Sequence, residues 1–167
     1  VNFVFRGMLS YQMYGHEVRL EAGDMALFWG GLPHRVTDTS EDPLYTAIHL
    51  PLVHFFRLRL APDIMRKLMH GATLTTRSSD GTDFGSFNRW SDYMASSDAA
   101  RQAHAIDELL LRIERIAFDP YRLTGGDRPV TLESDALDQA SGGKIAAICD
   151  YIAEHFRQDL DSAELAR

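Results

Sequence analysis

The sequence predicts an α+β fold, with strands in its first half and helices in its second. Three observations carry this. Up to residue 50, apolar and polar residues alternate in short runs separated by turn signals about every 8–12 residues, the pattern of a β-sandwich or barrel. From residue 83 the apolar spacing lengthens to three and four, as in amphipathic helices. Residues 119–143 are rich in Gly, Asp, Ser and Pro without sustained periodicity, and read as a linker.

The first strand alternates Phe3 and Phe5 with Asn2, Val4 and Arg6. The second alternates Leu9, Tyr11 and Met13 with Met8, Ser10 and Gln12, and Tyr14-Gly15-His16 supplies a turn. Val18 and Leu20 mark a third strand. Gly23-Asp24 then turns the chain into the run Met25–Trp29, which Gly30-Gly31 and Pro33 break. Thr37–Pro43 reads as a polar loop, and Leu44–Leu50 as a strand stopped by Pro51. Pleating gives each strand two faces, so Tyr45, Ala47 and His49 share one.

PLVHFFRLRL fits a strand or a helix. Pro62 suits a first helical residue and Gly71 a helix stop, with one more strand in ATLTTR. Two helices follow, the second spanning Asp98 to Phe118. Its Ile106, Leu109, Leu110, Ile113 and Ile116 form one apolar stripe on a charged helix. Such a stripe packs on the domain's own core or forms a dimer seam, and both readings stand at this point. KIAAICDYIAEHF is a further amphipathic helix. Asp161-Ser162-Ala163-Glu164 has the form of an N-cap with an acid three residues on, opening another helix near the last residue, Arg167.

Composition bounds the function. Hydrophobic residues make up 45% and charged residues 25%, within the ordinary globular range. A net charge of −7 lacks the basic footprint of a nucleic-acid-binding surface. The single cysteine, Cys149, cannot form an internal disulfide, which fits a reducing compartment such as the cytoplasm. No apolar run reaches the ~20 residues of a membrane span, and no signal peptide is visible. The chain opens on VNFVFRG, inside a strand and without Met, so a longer natural protein is expected upstream.

No catalytic motif stands out. The seven histidines include no HxH pair and no HExxH spacing, so no metal site is assigned. Phosphate-binding glycine loops and the G-x-S-x-G nucleophile turn are also missing, and no cofactor is implied. A small-ligand pocket suits the residues better, because such pockets are mainly apolar and aromatic with a few polar groups. The β part supplies Tyr11, Tyr14, Phe28, Trp29, His34, Tyr45 and His49 to such a pocket, and the chosen candidates are His34, Tyr45, His49, Trp29 and Arg6. Aromatic faces stack on sugar rings, and His or Arg can hydrogen-bond hydroxyls. Trp29 also suits the core, and Arg6 a solvated strand position.

The order of parts then matters. GDMALFWGGLPHRV comes first, then AIHLPLVHFF and MHG, two helices, a linker, and KIAAICDYIAEHFRQDLDSAELA. This arrangement resembles the AraC/XylS family of bacterial transcription regulators. The resemblance implies a cupin-like (jelly-roll) barrel that binds an effector over 1–80, with its first strands upstream. It implies a helical dimerisation unit over 81–118 and a linker over 119–143. Residues 144–167 would begin a truncated helix-turn-helix domain. On that reading His34 faces the barrel cavity, and Ile106, Leu109, Leu110, Ile113 and Ile116 are the dimer face. The partners are a small effector such as an α-galactoside, a second copy of the chain, and DNA only through a domain beyond Arg167. The chain lacks the first metal-binding cupin motif. The alternative reading is a cupin-type metalloenzyme acting on a small sugar-like substrate, which needs three ligands converging near His34.

Overall fold

The structure is a computed structural model that describes residues 1–78 and 80–127, together with Ile148, Tyr151 and His155. Six strands come first: β1 (Asn2–Arg6), β2 (Met8–Met13), β3 (His16–Glu21), β4 (Asp24–Phe28), β5 (Arg35–Thr39) and β6 (Leu44–Ala47). Then come α1 (Leu52–Phe55), α2 (Pro62–Met69), β7 (Thr73–Arg77), α3 (Thr82–Ala95) and α4 (Ala99–Glu114). A 3₁₀ turn, Arg115–Ala117, leads to β8 (Tyr121–Thr124). The α+β class expected from the sequence is the class observed.

The strands form two antiparallel sheets, ordered β6-β1-β4-β7-β8 and β3-β2-β5. Only Gly7 separates β1 from β2, yet these strands lie in different sheets. Gly7 turns that corner with φ +79°, and a side chain there would run into the Ser40 hydroxyl. The sheets pack face to face, with Val4 and Ala26 of the larger one against Leu9, Tyr11, Val18 and Leu20 of the smaller. Among the described residues no strand pairing closes them into a barrel.

The other face of the larger sheet carries the helices, giving three layers. Phe3, Met25, Leu27 and Leu74 meet Met65 and Leu68 of α2, Phe87 and Trp90 of α3, and Leu109 and Ile113 of α4. Strand alternation makes this possible. Phe3 points to the helices and stacks on Phe87 at 4.4 Å, while its neighbour Val4 points to the smaller sheet. Pro62 opens α2, and the Asp98 carboxylate caps α4 by accepting from Ala100 N (2.9 Å) and Arg101 N.

Three sequence expectations shift here. The α4 stripe turns inward: Leu109, Ile113 and Ile116 are buried in the chain's own core, and Ile106 and Leu110 are half-buried. The expected dimer face is therefore largely core, because α4 covers α3 and the sheet with that stripe. Arg35–Thr39, partly read as loop, pairs with β2 although all five of its residues are exposed. Tyr121–Thr124, read as linker, is an edge strand on β7, with the Thr76 hydroxyl donating to Pro120 O at 2.8 Å. Edge strands with little burial lack the apolar alternation that marks strands in a sequence. Ile148, Tyr151 and His155 are helical, in line with the helix expected over KIAAICDYIAEHF. Cys149, most of the linker and the truncated helix-turn-helix lie outside the described residues. Among the described residues no helix is long and apolar enough to cross a membrane.

Candidate functional site

A cleft of about 380 Å³ opens where the start of β1, the end of β4 and the end of β6 come together. Antiparallel pairing brings these ends to one place: Asn2 lies beside Ala26 of β4 and beside Ala47 of β6. The segment after β6, with α1, forms another wall through Ile48, Leu50, Leu52 and Phe55. The volume falls within the range of small-ligand sites.

The stretch LFWGGLPH shapes one side. Phe28 ends β4 half-buried, and Trp29 both packs against the helical core and lines the cleft. The indole lies so close over Gly31 that a Cβ there would sit 2.8 Å from it, so glycine is required by proximity. Leu32 is buried and anchors the turn. The carbonyl of Leu32 then accepts from His34 Nδ1 at 2.8 Å. A carbonyl only accepts, so Nδ1 carries the proton and Nε2 of the neutral ring is an acceptor. The His34 ring sits edge-on to Phe28, 5.2 Å between centroids. The double glycine, proline and histidine thus form a turn that folds Trp29 over the backbone and holds His34 at the cleft.

Of the five residues expected from sequence, four line the cleft: Trp29, His34, Tyr45 and His49. Tyr45, Ala47 and His49 enter together, as their shared face requires, although β6 ends at Ala47. Arg6 does not line it. Its side chain is exposed and paired to Asp42, Nη2 to Oδ2 at 2.6 Å. Arg6 shares a strand face with Asn2, but four residues of extended chain, roughly 13 Å, separate them. The cleft is at the Asn2 end.

The floor holds Tyr11, one of the aromatic residues the sequence offered for a pocket, and Asn2, which the sequence did not single out. Asn2 and Tyr11 are 5% and 6% exposed, and Asn2 Nδ2 donates to the Tyr11 hydroxyl at 3.1 Å. Burial pushes the Tyr11 phenol up to about 12, helped by the nearby Tyr45 phenol and opposed by the Asn2 hydrogen bond. Tyr11 is therefore a neutral phenol at physiological pH. One signal for Asn2 was available: it is the polar member of an alternating set whose next member, Val4, is core. Among the described residues no three His, Cys, Asp or Glu side chains converge as metal ligands.

Over 166 residues, 99% of its length, the chain is 22% identical to the melibiose operon regulatory protein of Escherichia coli K12. The chain is similar to a regulator. The same protein from Escherichia coli O6:H1 matches to the same extent. The chain spans about half (55%) of the length of these curated relatives, which are named as regulators and not as enzymes. No protein-family model matches the chain, and no solved structure matches it at a significant level.

Proposed function

We propose that the chain is the effector-binding and dimerising part of a transcription regulator of the AraC/XylS type, acting in the cytoplasm. The cleft is its sensor site, and a sugar such as an α-galactoside is its ligand. The observation that carries this is the meeting of Trp29, His34, Tyr45 and His49 in one cleft of ligand size, in a chain similar throughout to a melibiose operon regulator. The two facing sheets, apart from β8, are read as the part of a cupin-like barrel contained in residues 1–80. Two copies meet along α4 through Ile106 and Leu110, the stripe residues that the core does not fully enclose. DNA is reached through a domain beyond Arg167.

The mechanism follows from linkage. An effector shifts the arrangement of the dimer only by the difference in its affinity for two arrangements. Trp29 supports that role, since it lines the cleft and packs against the core cluster to which Leu109 and Ile113 of α4 also belong.

Titration calorimetry with melibiose tests the site. Wild-type chain is expected to bind, Trp29→Ala to lose most of the affinity, and His34→Ala to weaken it about tenfold, the worth of one good hydrogen bond. Equal affinity in all three would remove these residues from the site.

A further inference from the structure

We propose, on the basis of the sensor reading, that the cleft selects an uncharged, hydroxyl-bearing ligand, and that the buried Asn2–Tyr11 pair recognises one of its hydroxyls. Two independent observations lead here.

The first is the chemistry of the floor. Asn2 and Tyr11 are more than nine-tenths buried and line the cleft, and among the described residues their side chains make one hydrogen bond, to each other. With Asn2 Nδ2 donating to the phenol oxygen, the Tyr11 O–H and the second Nδ2–H are left as donors and Asn2 Oδ1 as an acceptor. Reversing the amide leaves its two N–H groups as donors and the phenol oxygen as an acceptor. A hydroxyl group suits such a mixed set, since it both gives and receives a proton. A carboxylate or phosphate matches only the donors and leaves the acceptor oxygen facing like partial charge. An ammonium matches only the acceptor.

The second is the wall. Among the described residues, no Asp, Glu, Lys or Arg lines the cleft. The titratable side chains of the lining are His34, His49, Tyr11 and Tyr45. A charged ligand entering the cleft would be desolvated with no carboxylate, ammonium or guanidinium side chain of the lining to meet it, a large penalty. The pair and the wall make the same selection.

The test is a titration at pH 7.5 of the 167-residue chain with four probes of matched shape: galactose, galacturonic acid, galactosamine and galactose 1-phosphate. Galactose is expected to bind, and each charged probe at least tenfold more weakly. Tyr11→Phe, which keeps the ring in the core, is expected to lose at least tenfold for galactose while its unliganded melting temperature stays close to wild type. If Tyr11→Phe does not fold, Asn2→Ser serves in its place, with the same expected loss. A charged probe binding as tightly as galactose would overturn the neutral selection and leave the sensor reading standing. Unchanged galactose affinity in the variant would overturn the role of the pair. Silence from the whole panel would overturn this proposal together with the sugar-sensor reading.

Discussion

Asp83 and Arg112 are the most deeply buried charges described, with side chains 2% and 4% exposed. Arg112 Nε and Nη2 grip the two carboxylate oxygens at 2.6 and 2.7 Å, tying α4 to the first turn of α3. Arg115 and Asp119 extend the cluster. Removing one partner strands the other without its countercharge. Arg112→Met is expected to lose about 3–5 kcal/mol in urea denaturation, and the double replacement Asp83→Leu with Arg112→Met to recover part of that. A second, half-buried link is pH-sensitive. Glu108 Oε2 accepts from Trp90 Nε1 at 2.6 Å, and this bond, with Arg89 and His104, holds the carboxyl below its ordinary 4.5. A lowered folded-state value stabilises the fold above 4.5, and that contribution disappears as pH falls through the folded value. Glu108→Gln is therefore expected to flatten the acid limb of a melting-temperature profile below about pH 4.5, leaving the Trp90 contact in place. An unchanged acid limb would show that the bond does not set it.

At the scale of elements, α4 decides between core and seam. Leu109 is 4% exposed among Phe87, Trp90 and Ile113. Leu109→Asp would bury a carboxylate there and is expected to abolish cooperative unfolding, not to release monomers. Leu110→Asp, on the half-buried flank, is expected to keep the fold and shift the chain toward monomer in light scattering. A dimer that survives Leu110→Asp would take α4 out of the interface. The stripe shows what a sequence can and cannot reveal. Its spacing identified the helix, its start at Asp98 and the residues that turn away from water. Which surface covers those residues depends on contacts with Phe87 and the sheet far along the chain, and periodicity carries no such information. The cleft divides in the same way. Tyr45, His49 and the WGGLPH turn were legible because local pleat and turn chemistry fix them. Asn2 and its pairing with Tyr11 were not, because the two meet only when the chain turns a corner at Gly7 between two sheets. Arg6 was misplaced for a related reason: alternation gives the face of a strand but not which end of it reaches a site.

The described residues form a helical layer and two sheets, with a cleft lined by no Asp, Glu, Lys or Arg at one end of the larger sheet. Its two tryptophans report on different parts. Trp29 lines the cleft, while Trp90 is 4% exposed with its indole N–H bonded to Glu108. A proton–nitrogen correlation spectrum shows one indole signal for each. Assigned through Trp29→Phe and followed during a melibiose titration, these signals test the central claim directly. The account predicts a saturable shift of the Trp29 signal with at most a small change at Trp90. A Trp29 signal that stays fixed while ligand binds, or that moves less than Trp90, would contradict it.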